Sequence, residues 1–149
     1  MRIVIDTNVL LSGIFWGGLP FEILDLWVQD KIDLLASQAI LTEYARVLQK
    51  YGFKKSGLDL ADNWLHFIVQ HAHIIHVQRQ FHVCRDGADD MFLDCAVEGV
   101  ADYIVSGDKD LLILQEFRGV DIVTPRLFIK EFKAPGPPSN NTGIIRGAN

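Results

Sequence analysis

The chain opens with a short run of apolar, mostly β-branched residues that stops at a carboxylate. Arg2 to Ile5 read Arg-Ile-Val-Ile, and Asp6, Thr7 and Asn8 follow directly. An apolar strand without polar alternation is typical of the middle of a parallel sheet that is covered on both faces. Ligands of such sheets bind beyond the carboxyl ends of the strands, which is where Asp6 lies.

Strand and helix patterns alternate along most of the chain. Pro20 starts one apolar-periodic helix, and Gln38 starts another that we predict to end at Gly52. Predicted strands cover 2–5, 33–37, 73–77, 103–106 and 121–123, and further helices cover 58–72, 89–100, 108–117 and 125–132. This alternation predicts a layered α/β fold with a mainly parallel sheet.

The 149 residues suit one domain. The last residues are rich in Pro, Gly and Asn without apolar periodicity, so we predict a folded domain over 1–132 and a flexible tail over 133–149. No apolar run approaches the ~20 residues of a membrane-spanning helix, and the N-terminus does not resemble a signal peptide. We therefore expect a cytoplasmic protein with no membrane partner.

Acidic residues follow two of the predicted strands. Asp6 follows the first strand, and Asp108 lies two residues beyond Ser106, which ends the strand over 103–106. If both strands are central and parallel, these carboxylates emerge at the same edge of the sheet. Each residue is also explained as a helix N-cap, because Asp is favoured there. The spacing alone leaves both interpretations open.

Glu43 is an acid on the apolar side of a predicted helix. It lies four residues before Val47, a position that faces the core. A carboxylate turned toward a core is costly unless it is paired or bound to a metal. A salt bridge to Arg46, three residues later, is the alternative to a metal-binding role.

A second acidic group begins the predicted helix over 89–100. Asp90 and Asp94 are spaced i and i+4, so their like charges share one helix face and repel unless a cation lies between them. Without a cation, Asp89 is interpreted as a helix N-cap and Asp94 as part of a solvated face.

Carboxylates without His or Cys nearby select Mg²⁺ or Mn²⁺ over zinc. Several carboxylates around one or two such ions can activate a water for phosphodiester hydrolysis, which needs no side-chain nucleophile. The sequence has neither a Gly-x-Ser-x-Gly motif nor a phosphate-binding Gly-x-x-x-x-Gly-Lys loop. The net charge of −5 counts against a generic electrostatic nucleic-acid binder, so any such role has to explain it.

Four segments together resemble a PIN domain. They are Asp6-Thr7-Asn8-Val9-Leu10, Glu43 on its helix, residues 86–96 (Asp-Gly-Ala-Asp-Asp-Met-Phe-Leu-Asp-Cys-Ala) and residues 101–112 (Ala-Asp-Tyr-Ile-Val-Ser-Gly-Asp-Lys-Asp-Leu-Leu). The resemblance covers Met1 to about Phe132. It is strongest to the toxins of type II toxin–antitoxin systems, relatives of the VapC endoribonucleases.

The resemblance implies a three-layer α/β/α PIN-like fold and a Mg²⁺- or Mn²⁺-dependent endoribonuclease that cleaves single-stranded RNA by metal-activated water. The catalytic and metal-binding quartet it implies is Asp6, Glu43, Asp90 and Asp108. Asn8 and Ser106 match positions whose polar side chains line the site, and together with Arg85 they are the residues expected to bind substrate. A cognate antitoxin and a homodimer are the partners implied.

Six basic residues are candidates for contacting RNA phosphates, with a solvated surface as the alternative for each. They are Arg85, Lys54, Lys55, Arg79, Lys109 and Arg126. Two rival functions remain open. One is a non-catalytic PIN-fold module that binds RNA or protein, and the other is a phosphatase or phospho-acceptor domain, which also places Asp at strand ends but carries an Asp-x-Asp signature that is absent after Asp6.

Overall fold

A six-stranded sheet forms the centre of the computed structural model, which describes residues 1–134. The strand order is β3-β2-β1-β4-β6-β5, and all neighbours are parallel except the β5–β6 pair. The strands are β1 (Arg2–Ile5), β2 (Asp33–Ser37), β3 (His73–Ile75), β4 (Tyr103–Val105), β5 (Glu116–Phe117) and β6 (Val120–Val123).

Within the described residues, six α-helices lie between strands and a seventh follows the last strand. They are α1 (Thr7–Phe15), α2 (Gly18–Val28), α3 (Gln38–Lys54), α4 (Leu58–His71), α5 (Asp90–Glu98), α6 (Lys109–Leu112) and α7 (Pro125–Lys133). The crossovers from β1 to β2 to β3 step one way along the sheet, and the crossover from β3 to β4 steps the other way. Right-handed connections therefore place α1–α4 on one face and α5 on the other, which confirms the predicted layered α/β fold.

β1 is the central strand that its apolar sequence predicts. Ile3, Val4 and Ile5 are fully buried between β2 and β4. Ile5 pairs with Val105 of β4, so the next residues of both segments leave the sheet side by side. This register brings Asp6 close to Ser106.

α3 packs on the sheet through residues one turn apart. Ile40, Tyr44 and Leu48 are fully buried. The Tyr44 hydroxyl donates a hydrogen bond to the carbonyl of Ile5, the residue before Asp6. Burial raises the pKa of Tyr44 well above its usual value, so this hydroxyl keeps its proton. The bond fixes α3, and Glu43 with it, against the end of β1.

α3 extends beyond the end that its sequence predicts. Gly52 lies inside the helix, which continues to Lys54. A Cβ at Gly52 would lie 3.1 Å from the Cβ of Ala61 on α4. Gly52 therefore permits the close approach of α3 and α4, and the prediction that it ends the helix was wrong.

The helix predicted over 108–117 was also wrong in its second half. α6 ends at Leu112, and Glu116–Phe117 form a strand that turns back onto β6. Arg118 and Gly119, between the strands, both have positive φ, at 51° and 87°. Two residues with positive φ make a tight hairpin. An Arg-Gly pair predicts such a hairpin less strongly than Asn-Gly does.

α7 ends at Lys133, one residue past the predicted domain boundary. The tail predicted over 133–149 lies almost wholly outside the described residues. Within residues 1–134, no single helix has the length and apolar composition to cross a membrane; α1 and α2 would pass that test only as a pair bent by 94°.

Replacing Tyr44 with Phe removes the hydrogen bond between α3 and β1. Because a buried acceptor then lacks its donor, we expect the free energy of unfolding to fall by about 1–3 kcal/mol, measured by urea denaturation. Tyr51→Phe is the matched control, because the Tyr51 hydroxyl has no hydrogen-bond partner in the part of the chain described. Equal losses in the two variants would contradict this role for Tyr44.

Candidate metal centre

A polar cleft of about 200 Å³ lies at the carboxyl edge of the sheet. The cleft lies between β1 and β4, at the point where the strand order reverses direction. Open α/β sheets bind their ligands at such a topological switch point. The side chains lining it include five carboxylates, those of Asp6, Glu43, Asp86, Asp89 and Asp108.

Asp6 is the most enclosed carboxylate of the cleft, at 4% exposed. Its Oδ1 accepts a hydrogen bond of 2.9 Å from the amide of Val9, so it caps α1 as the N-cap interpretation predicts. Its Oδ2 accepts a hydrogen bond from the Ser106 hydroxyl. Burial raises the pKa of Asp6, and these hydrogen bonds oppose that rise. Asp6 therefore caps α1 and lines the cleft at the same time.

Ser106 connects two of the acidic segments. Its hydroxyl donates to Asp6 and accepts a hydrogen bond of 2.9 Å from the amide of Asp108. Ser106 is fully buried, so it does not reach a substrate. The expectation that it binds substrate does not fit this burial, and its place in the fold is that of a positioning residue.

Asp108 is the N-cap of α6, with its Oδ1 2.8 Å from the amide of Asp110. The Asp110 carboxylate is held from outside by the guanidinium of Arg85, at 3.0 and 3.2 Å. Arg85 is 84% exposed, so the residue predicted to contact phosphate lies at the rim of the site.

Glu43 lies in the cleft and also makes the salt bridge that sequence spacing allows. Its Oε1 is 2.9 Å from a guanidinium nitrogen of Arg46, and its side chain remains 27% exposed. Asn8 lines the same cleft from α1 and is exposed, as expected for a residue that meets a substrate.

Asp90 does not line the cleft; its neighbour Asp89 does. The Oδ1 of Asp90 accepts hydrogen bonds from the amides of Val83 and Cys84, at 3.1 and 2.9 Å. Burial raises the pKa of Asp90, but these bonds outweigh it and lower the pKa below its usual value. Asp6, Glu43 and Asp108 of the predicted quartet thus line one cleft together with Asp89, and Asp90, the first residue of α5, has one carboxylate oxygen bonded to the preceding connection.

The i, i+4 spacing of Asp90 and Asp94 places both carboxylates on one face of α5, where they bind the preceding connection. Asp94 accepts a hydrogen bond of 2.7 Å from the amide of Phe81, so both acids hold the 76–86 connection onto α5. These backbone amides compensate part of the like charge on the two carboxylates. Asp89 ends a 3₁₀ turn (Gly87–Asp89) and lines the cleft. Its carboxylate makes no capping hydrogen bond to α5.

The cleft carries groups whose polar atoms are not satisfied by protein. The Oδ2 of Asp89 and the hydroxyl of Thr7 are buried without a hydrogen-bond partner in the described residues. Burial and the charge of Asp108 raise the pKa of Asp89 to about 6. One carboxylate oxygen each from Asp89, Asp108 and Asp110 lies within 4.8 Å of the others. An all-oxygen set of this kind fits a hard divalent cation.

The PIN-domain family model matches residues 2–110. The chain belongs to the PIN-domain family. This confirms the resemblance seen in the sequence. PIN domains are a nuclease family whose members generally use divalent metals, in keeping with the acidic cluster of this PIN domain.

Two comparisons extend this result. An uncharacterised protein of Methanocaldococcus jannaschii is 34% identical over 148 residues, which cover 89% of this chain and 92% of that protein. The solved structure of VapBC2 from Rickettsia felis, bound to a DNA fragment from its promoter, aligns with a TM-score of 0.57 and 13% identity. It covers 82% of this PIN domain and 97% of the solved chain, which shows a shared fold.

The raised pKa of Asp89 predicts how the stability of the metal-free PIN domain depends on pH. The folded state binds the proton of Asp89 more tightly than the unfolded state, so the stabilisation is complete below about pH 4 and is lost as the pH rises through about 6. In EDTA, we expect the urea midpoint to fall between pH 4.5 and pH 7.5, and Asp89→Asn to reduce that fall.

Asp62→Asn, on the exposed face of α4, is the control for this measurement and should keep the wild-type slope. An Asp89→Asn variant with an unchanged slope would show that Asp89 is not in a desolvated acidic site.

Proposed function

We propose that this PIN domain is a Mg²⁺- or Mn²⁺-dependent endoribonuclease, a hydrolase of phosphodiester bonds that acts on single-stranded RNA. The observation that carries the proposal is the convergence of Asp6, Glu43, Asp89 and Asp108 in one cleft, with a buried Asp89 oxygen that no group of residues 1–134 satisfies. Isolated carboxylates at that density are unfavourable unless a cation joins them.

Asp6, Asp89 and Asp108 are the residues proposed to hold the metal, with Glu43 beside them. When bound, such an ion lowers the pKa of water and stabilises the charge that develops on the phosphate oxygens. The proposed set has Asp89 where the resemblance implied Asp90.

Other residues have separate proposed tasks in the reaction. Ser106 and the α1 and α6 caps hold Asp6 and Asp108 in place, which limits the reorganisation needed when RNA binds. Glu43, held by Arg46, accepts a hydrogen bond from the attacking water. Asn8 and Arg85, at the open side of the cleft, bind phosphate oxygens.

The biological setting we propose is a type II toxin–antitoxin pair in the cytoplasm, with this chain as the toxin. Support comes from the sequence resemblance to VapC-like toxins and from the fold shared with a chain of the VapBC2 complex. A cognate antitoxin and a homodimer are the partners proposed.

Cleavage of a labelled single-stranded RNA tests this function. With Mn²⁺ we expect fragments with a 5′-phosphate and a 3′-hydroxyl, and no cleavage in excess EDTA. Asp6→Asn, Asp89→Asn and Asp108→Asn should each reduce kcat/KM by at least about 10²-fold, because each removes charge that stabilises the transition state.

Asp90→Asn is the matched control, since an amide oxygen can still accept the bonds from Val83 and Cys84. We expect it to lose less than about tenfold. Cleavage that persists in EDTA would contradict metal dependence. Folded protein that gives neither cleavage nor calorimetric heat with Mn²⁺ would favour the non-catalytic binding module.

A further inference from the structure

We propose that single-stranded RNA leaves the acidic cleft along the outer face of α3 and is held there by a basic and aromatic surface. This surface, called the α3 track below, consists of Trp16, Arg46, Lys50, Tyr51 and Lys54. The inference rests on the proposed ribonuclease function and names where its substrate binds beyond the metal centre.

The charge distribution of the chain points to α3. The net charge is −5, yet the 15 residues between Glu43 and Asp59 contain Arg46, Lys50, Lys54 and Lys55 and no acid. All four cationic side chains are exposed. A positive segment of this kind in an acidic protein attracts a polyanion locally.

The spacing of these charges forms a line. Arg46, Lys50 and Lys54 follow one another at intervals of four residues, so they share one face of the helix about 6 Å apart along its axis. A shallow cavity of about 270 Å³ lies along this face and is lined by Arg46, Val47, Lys50, Tyr51 and Lys54. Such a line can contact successive phosphates of one strand.

The α3 track is continuous with the acidic cleft. Val47 lines both the cleft and the cavity on α3. Arg46, the first cation of the track, is paired with Glu43, which is the cleft's own residue on α3. A strand whose reacting phosphate lies at the carboxylates therefore meets Arg46 next.

Aromatic rings flank the line of charges. Trp16, at the end of α1, is 61% exposed, and its ring centroid lies 5.1 Å from that of Tyr51. Tyr51 is supported from behind by Phe15, also at 5.1 Å, and Lys55 lies 5.8 Å from its ring centroid. An exposed indole held beside a second ring provides a platform on which a base can stack.

Cations in a line with an exposed aromatic platform fit a single strand better than a duplex, because the bases of a duplex are stacked on one another and do not reach Trp16. RNA uses both features, since phosphates contact the cations and a base stacks on the ring.

Binding of a 5′-fluorescein-labelled 12-nucleotide oligouridylate to the full chain, measured by anisotropy in EDTA, tests the proposal without cleavage. Lys50→Gln/Lys54→Gln should weaken binding and reduce the slope of log K against log salt by about 1.4, since each single-strand phosphate contact contributes about 0.7. Lys31→Gln/Lys130→Gln removes two exposed cations outside the track and should leave the slope unchanged.

Trp16 gives an independent readout. Trp16→Ala should weaken binding by roughly 5- to 100-fold, and Trp16→Phe should restore most of it because a ring can still stack. Phe21→Ala, at an exposed ring on α2, is the control and should bind like wild type. RNA should quench tryptophan fluorescence in the wild type and much less in Trp16→Phe.

With Mn²⁺, the track variants should raise KM and leave kcat close to wild type, because the track does not touch the reacting phosphate. Unchanged RNA affinity and salt slope in both the lysine and the Trp16 variants would overturn the proposal. That result would favour a protein partner on this face instead. RNA binding that depends on the track in a protein that never cleaves RNA would support the track and refute the ribonuclease.

Discussion

Mutual repulsion among carboxylates at the carboxyl edge of β1 and β4 is the constraint that the surrounding structure has to resolve. Parallel pairing of Ile5 with Val105 sends Asp6 and the Ser106–Asp108 segment out of the sheet side by side. Ser106 then holds the Asp6 carboxylate and the Asp108 amide with one hydroxyl. Hydrogen bonding and capping fix Asp6 and Asp108, whereas the Oδ2 of Asp89 is buried with no partner among residues 1–134. We propose that a divalent cation completes this arrangement.

The sequence predicts the edge at which the site lies, because that depends on strand pattern alone. An uninterrupted apolar β1 is expected to be central, and parallel neighbours bring their carboxyl ends together, so Asp6 and Asp108 converge if β4 pairs with β1, which is the pairing found. Glu43 follows for the same reason, since an acid on the apolar side of α3 faces either the sheet or the edge above it.

The choice between Asp89 and Asp90 depends on a detail that sequence does not specify. Neighbouring helical residues point about 100° apart, so a shift of one residue in where α5 begins changes which carboxylate enters the cleft. The 3₁₀ turn over Gly87–Asp89 sets that start, and the amides of Val83 and Cys84 bind one carboxylate oxygen of Asp90. The hairpin at Arg118–Gly119 was missed similarly, because tertiary pairing with β6 outweighs the helical spacing of the preceding leucines.

The acidity of the chain takes a different meaning once the charges are placed in space. Carboxylates are concentrated in the cleft, whereas α3 carries a line of cations with no acid between Glu43 and Asp59. A negative net charge is therefore compatible with a polyanionic substrate if, as we propose, the acids hold metal and a separate surface holds the strand.

Anomalous X-ray scattering from a crystal soaked in Mn²⁺ tests the central claim most directly, because it locates the ion without reference to activity. We expect a peak in the cleft within coordination distance of carboxylate oxygens of Asp6, Asp89 and Asp108, with Asp90 still bonded to the amides of Val83 and Cys84. A peak ligated by Asp90, or a well-ordered cleft with no manganese, would contradict the central claim.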